Sequence, residues 1–269
     1  MILSRRVALD GVQLDEADER ILIQRISTEN IKGSASAVGR LNRDGSRRTG
    51  GARETLDVVV QFTIRAYGRY MEERESVLEA ANAWAARALS VGRWLTTSTR
   101  PERKIRVRLE TPATMDNARD ATATFKITFR SYGVPYWVDT DDARGSGVSG
   151  SGISGSLTLP CGGSARTAAD VTLENTSGAT INTATVTAGS SKIELSGLGM
   201  NAGESLVMDH DSEGILRIRI QNGSSYRSAL SCRTAGSADD LYIWPGQNTV
   251  SFTAQRACRA RAWARGRYL

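Results

Sequence analysis

The sequence predicts an α+β N-terminal domain, an antiparallel sheet with one packed helix and an extended arm, followed by an all-β sandwich domain. Three observations carry this. A single helical period, over residues 77–89, stands among strands of period two. A Gly/Ser run from Arg144 to Ser156 interrupts the chain near its middle. Beyond it the helical period disappears, and short apolar segments alternate with turn residues.

The first strand is centred on Ile21-Leu22-Ile23. From about Ser27 to Glu54 the chain is polar and rich in Gly, Ser and Arg. That is longer than the ~12–15 residues a structureless loop reaches in a compact domain. Such a stretch either stays disordered or orders as an arm against a neighbour. Asn42-Arg43-Asp44-Gly45 supplies a turn at its middle, so a hairpin arm is one form open to it.

Strong alternation follows. Val58, Val60, Phe62, Ile64 and Ala66 share one face, and Val59, Gln61, Thr63, Arg65 and Tyr67 the other. The period then changes. Val77, Leu78, Ala81, Trp84, Ala85, Ala88 and Leu89 lie on one helical face. Glu72, Glu73 and Glu75 precede them, where the helix dipole favours carboxylates, and Gly92 follows as a stop. Trp84 at this spacing reads as core set on a sheet. Ile105, Val107 and Leu109 alternate with Lys104, Arg106 and Arg108. Ala123, Phe125, Ile127 and Phe129 alternate with Thr124, Lys126, Thr128 and Arg130. One face of this sheet is therefore apolar and the other polar and often basic.

The expected division is residues 1–140, a flexible Gly/Ser linker at 141–155, and a sandwich at 156–269. Leu216, Ile218 and Ile220 against Arg217, Arg219 and Gln221 show the clearest inside-outside pattern of the second domain. In the last strand Cys258, Ala260, Ala262 and Ala264 form a small apolar face. Arg259, Arg261, Trp263 and Arg265 form a basic, aromatic one. That pattern suits an edge strand defended by charge, or a docking surface for an acidic partner.

With 35 Lys and Arg against 29 Asp and Glu, the formal charge is +6. The excess is mostly arginine, in Arg40, Arg43, Arg47, Arg48 and Arg53 and again near the C-terminus. It suits a solvated face or an acidic protein partner before nucleic acid. Cys161, Cys232 and Cys258 form neither a disulfide framework nor a metal motif, and read as reduced, mostly buried thiols. No signal-peptide pattern and no apolar run of about 18 residues is present, so no membrane span is expected.

Chemistry is sparse. The one histidine, His210, lies in Met208-Asp209-His210-Asp211 and reads as a polar turn after a strand rather than a metal ligand. Asp141-Asp142 and Asp239-Asp240 are adjacent pairs, whose side chains point apart on a strand. Nucleophile elbow, P-loop and dinucleotide fingerprints are lacking. No cofactor, no metal and no enzymatic activity are expected.

The order of features resembles a known family. The Gly/Arg arm ends in Gly50-Gly51-Ala52-Arg53-Glu54. The helix carries Ala83-Trp84-Ala85, and the first domain closes on Phe129-Arg130-Ser131-Tyr132-Gly133-Val134-Pro135-Tyr136-Trp137. The second opens with Val171-Thr172-Leu173-Glu174-Asn175 and finishes with Leu241-Tyr242-Ile243-Trp244-Pro245-Gly246-Gln247-Asn248-Thr249-Val250. This resembles the distal tail proteins (Dit) of long-tailed bacteriophages and prophages. The resemblance implies a virion structural protein at the distal tail tip, made in the bacterial host cytoplasm. It implies a hexameric ring formed by the N-terminal domain, between the tail tube protein and the tail-associated hub protein, with DNA passing through the lumen. It also implies a galectin-like second domain that faces outwards and carries receptor-binding proteins. On that view Arg40, Arg43, Arg47, Arg48, Arg106, Arg108, Lys126 and Arg130 are candidate lumen or inter-subunit residues. Trp263, Arg259 and Arg261 are candidate partner or glycan contacts.

Rival readings use the same residues. A carbohydrate-binding sandwich would stack sugars on Trp244, Trp263 and Tyr242. A hydrolase would use His210. Another tail-tube or tail-like particle component would share a ring-forming sheet.

Overall fold

The structure is a computed structural model, which describes residues 5–39, 46–65, 70–119, 122–211 and 213–268. The chain divides into two units, Met1–Trp137 and Val138–Leu269.

The elements of the first unit are β1 (Val7–Leu9), β2 (Val12–Gln13), α1 (Leu14–Ala17), β3 (Ile21–Gly39), β4 (Ser46–Ile64), α2 (Tyr70–Ala86), β5 (Arg93–Thr97), β6 (Arg100–Arg119) and β7 (Thr122–Ser131). They form an antiparallel sheet in the order β2-β1-β5-β6-β7-β4-β3. Its centre is set by side-chain period. Val58, Val60 and Phe62 stand opposite Phe129, Ile127 and Phe125, and all six are buried. The Phe62 and Phe125 rings stack with centroids 5.7 Å apart. Helix α2 brings Val77, Ala81, Trp84 and Ala85 to the buried side. Trp84 meets the Phe129 ring edge-on at 5.8 Å, and its Nε1 donates to the Val12 carbonyl at 2.8 Å. Leu89, expected on the same helical face, is 63% exposed, because the helix ends at Ala86.

The expected α+β class is corrected. Among the described residues strand takes up 65% and helix only 10%, so both units are predominantly antiparallel β. Two misread segments account for the difference. The polar stretch after Ser27 is not a loop, because β3 and β4 pair antiparallel from Ile21↔Ile64 to Gly39↔Ser46. On its other side β4 pairs β7 only over Asp57–Thr63. The part of the hairpin from Lys32 to Thr55 therefore runs on as a two-stranded arm, roughly 25 Å long at ~3.3 Å per residue. The expected turn at Asn42–Gly45 lies outside the described residues.

The second misread segment is the expected Gly/Ser linker. After β8 (Trp137–Asp139), which spans the boundary, the run belongs to a continuous strand, β9 (Gly145–Cys161). The remaining strands are β10 (Thr167–Asn175), β11 (Ile181–Ala188), β12 (Ser191–Met200), β13 (Ser205–His210), β14 (Leu216–Asn222), β15 (Ser225–Ser228), β16 (Tyr242–Ile243), β17 (Gly246–Ala264) and β18 (Arg267–Tyr268). Their order is β12-β11-β17-β10-β13-β14-β15, with β9 also on β17 and β16 also on β10.

Strand β17 organises this unit. Val250–Ala254 pairs with β11, and Cys258–Ala264 pairs with β10. Strand β9 lies along the other side of both halves, with a register break between the partners of Thr253 and Cys258. The β9–β17 ribbon therefore bends and passes from one layer to the next. Both layers face one core. Leu159, Val186 and Phe252 come from the first, and Leu173, Met208 and Ala262 from the second. The second unit is thus an antiparallel sheet folded into two layers over a single core, compatible with the expected sandwich, but residues 145–155 lie inside it rather than in a linker before it.

The glycines of β9 have a specific cause. A Cβ at Gly145 would lie 1.8 Å from the Pro160 carbonyl oxygen, and one at Gly147 would lie 2.3 Å from that of Thr158. The two halves of β9 meet backbone to backbone, which only a residue without a side chain allows.

Candidate functional site

On β6 the alternation that buries Ile105 and Val107 turns Lys104, Arg106 and Arg108 to the opposite face. Across the ladder Arg106 stands opposite Trp94, and Arg108 opposite Arg130, which in turn stands opposite Asp57. Arg106 and Arg108 share one ring. Their guanidinium carbons lie 5.1 and 3.7 Å from the Tyr132 centroid. That ring rests over Gly92, where a Cβ would come within 2.3 Å of Tyr132 Cδ1. Gly92, expected as a helix stop, is therefore the floor beneath an aromatic ring. Arg106 Nε also donates to the Gly92 carbonyl at 3.3 Å. Lys104 Nζ lies 4.8 Å from the Trp94 centroid.

Arg130 plays another part. Its Nε donates to Asp57 Oδ1 at 3.0 Å, and its Nη1 to Glu110 Oε1 at 2.7 Å. The hydrogen bond to Asp57 raises its pKa further, against the opposing effect of burial. Asp57 exposes only 4% of its side chain, so Arg130 neutralises a buried carboxylate. Among the described residues no carboxylate pairs with Arg106 or Arg108. Arg106 Nη1 and Arg108 Nε are buried without a hydrogen-bond acceptor. Lys126 lies on the same face, across from Gln61. Of the arm arginines, Arg47 and Arg48 stand on β4 opposite Val38 and Ala37, and Arg40 and Arg43 lie outside the described residues. The structure thus unites Arg106 and Arg108, moves Arg130 into an ion pair, and adds Lys104, Trp94 and Tyr132. Sequence pattern left Tyr132 unassigned because the register that brings it to Arg106 depends on pairing 26 positions apart.

The C-terminal basic strand is not an edge. Its second half lies between β10 and β9. Cys258, Ala260, Ala262 and Ala264 are buried, as the alternation requires, while Arg259 and Arg261 are exposed. Arg259 is flanked by Glu174 and Ser151, Arg261 by Thr172 and Val148, and Trp263 by Asp170 and Ser146. Arg144 lies over the Trp263 ring at 5.4 Å.

His210 ends strand β13 rather than entering a turn. Its Nδ1 lies 2.7 Å from Asp170 Oδ1, and its Nε2 2.9 and 3.0 Å from the two oxygens of Asp240. Burial alone would lower its pKa. Hydrogen bonds to Asp170 and Asp240 outweigh this and push it up to about 9. The ring is therefore an imidazolium at neutral pH that donates from both nitrogens. Burial pushes the Cys161 and Cys258 thiols up to about 11, away from reactive thiolates.

The three aromatics of a possible sugar platform are not equivalent. Arg166 covers the Tyr242 ring at 4.2 Å, as Arg144 covers Trp263. Trp244 is 64% exposed. Its turn is fixed by Asn248, whose Nδ2 donates to the Trp244 carbonyl at 2.7 Å and whose Oδ1 accepts from the Trp244 N–H at 3.2 Å.

No family model and no curated protein matches the chain. Among solved structures it is similar to the SPP1 Dit (gp 19.1) protein, described as a paradigm of the hub adsorption apparatus in phages that infect Gram-positive bacteria. The TM-score is 0.70 at 15% identity, over 98% of this chain and 99% of that one. Two structures of the phage P2 baseplate in its activated conformation, with Ca and with Sr, align at TM-scores of 0.47 and 0.46 and 8% identity. Both cover 97% of this chain, and they span 98% and 97% of their own. The chain has the fold of SPP1 Dit along its whole length.

Proposed function

We propose that this chain is a structural protein of a phage tail tip, acting in assembly rather than catalysis. The observation that carries the reading is the full-length fold match to a Dit protein at a TM-score of 0.70. The first unit forms a hexameric ring between the tail tube protein and the tail-associated hub protein. The second unit faces outwards, where receptor-binding proteins attach. The protein is made in the host cytoplasm and resides in the virion.

The geometry of the first unit supports this assignment. Its sheet has one face filled by the core and α2. The other presents Lys104, Arg106 and Arg108, of which the two arginines lack a carboxylate partner among the described residues. A cationic wall of this kind passes a polyanion without reading its sequence. In the ring this face is turned to the lumen, with Arg106 and Arg108 as its principal charges and Lys126 beside them. Arg130 holds Asp57 instead. The β3–β4 arm supplies two long edges that order against the adjacent copy, so assembly offsets the entropy of holding it extended.

Light scattering on the purified full-length chain, across a concentration series, tests the reading. A closed species near six chains, seen as a ring by electron microscopy, is the expected result. A monomer at every concentration, also in the presence of tail tube and hub proteins, contradicts it.

A further inference from the structure

The second unit presents a surface that the ring reading does not use. Strand β9 pairs only with β17, so the outer edge of Gly145–Val148 carries no strand among the described residues. From Gly145 to Cys161 this strand has no charged residue, which is how edge strands are normally blunted. Instead Val148 is 64% exposed on it. Beside Val148 stands Arg261, and two positions before that Arg259, both exposed and neither in an ion pair among the described residues. Glu174 stands across from Arg259, while Arg261 stands opposite Thr172 and Val148, with Glu174 and Asp170 diagonal to it on β10. Trp263, with Arg144 over its ring, closes the row.

We propose that the outer face of the β9–β17 pair docks an acidic, extended segment of a partner protein, which adds alongside Gly145–Val148 and sets its carboxylates against Arg259 and Arg261. Charge complementarity selects the occupant: unpaired guanidinium groups on a strand face accept carboxylates at strand spacing. Val148 supplies an apolar contact between them. The register break at Ser149–Gly150, where Ser149 Oγ accepts from the Ala260 N–H at 2.9 Å, kinks the edge. An added strand therefore ends its pairing there, instead of propagating into an open-ended sheet, and the segment continues unpaired past Ser151 to reach Arg259.

The test uses the full chain and a fluorescein-labelled peptide of alternating glutamate and valine, followed by anisotropy, with a lysine–valine peptide as control. Saturable binding of the glutamate peptide, weakening as salt rises, is expected. Arg259→Glu/Arg261→Glu weakens it at least tenfold and turns preference to the lysine peptide, while Arg106→Glu/Arg108→Glu leaves it unchanged. Arg259→Gln/Arg261→Gln, which removes the charge without repelling Glu174, gives the same loss should the reversal unsettle the strand. Absence of saturable binding overturns the proposal. So does binding that survives both Arg259/Arg261 variants, or that is lost equally in the Arg106/Arg108 variant. The oligomeric mass of the chain is independent of this outcome.

Discussion

The His210 imidazole is clamped to Asp170, 2.7 Å from Nδ1 to Oδ1, and Asp240 closes the other side of the ring at 2.9 Å. The arrangement ties the end of β13 to β10 and to the segment before β16. One cation thus holds three pieces of chain.

Its pH dependence has a definite sign. The folded pKa, about 9, lies above the unfolded value of 6.5. Stability from the clamp is therefore full below pH 6.5 and is lost as pH rises through about 9. The contribution is on the order of 3 kcal/mol at most. Thermal melts from pH 6 to 10 should show the second unit weakening above neutrality, and His210→Ala should flatten that slope. In Asp240→Asn, NMR should find the imidazole titrating closer to 6.5.

Two glycines of β9 should answer alanine differently. Gly147→Ala drives a Cβ to 2.3 Å from the Thr158 oxygen, which forces the halves of the strand apart. A loss of about 1–3 kcal/mol is expected. Gly150→Ala meets nothing within 4 Å and should stay within about 0.5 kcal/mol of the parent. Chemical denaturation of both variants decides the matter, and equal effects would contradict the close approach.

Trp84 combines burial with a hydrogen bond. Trp84→Ala removes the edge-on contact to Phe129 and should cost about 3–5 kcal/mol. Trp84→Phe keeps much of the volume but leaves the Val12 carbonyl without its donor, a loss of about 1–3 kcal/mol. Denaturation midpoints should rank parent, Phe and Ala in that order.

The thiols should separate by environment. Cys161 and Cys258 are buried with pKa values pushed up to about 11, whereas Cys232 is half-buried. Ellman's reagent at pH 8 should titrate one thiol in the native chain and all three after denaturation. Fast reaction of two or more native thiols would show the β9 and β17 positions to be open.

Sequence pattern was a reliable guide wherever an element faces a core. The Val58–Ile64 strand and the Val77–Ala85 helical face are legible because burial imposes a period. It failed where an element serves another purpose. The β3–β4 arm projects beyond its sheet, so nothing imposes alternation on it. Strand β9 carries glycine because its halves touch, and glycine composition is also that of a flexible linker. The basic face of β6 was visible as alternation, but the division of labour between Arg108 and Arg130 was not, since Asp57 lies 73 positions from Arg130. The His210 clamp was hidden for the same reason, its carboxylates standing 40 and 30 positions away.

The shared strand β17 also sets the order in which the second unit can form during synthesis. Strands β9, β10 and β11 all complete their pairing on it, yet Gly246 follows Cys161 by some 85 positions. At ~5–20 residues per second, β9 waits on the order of 4–17 seconds after leaving the ribosome before a partner exists. A waiting strand rich in Val and Ile would seed aggregation. One whose first half is mostly glycine and serine offers few apolar side chains to a chance partner. The composition that lets β9 fold back on itself also leaves the waiting strand little apolar surface before its last long partner arrives.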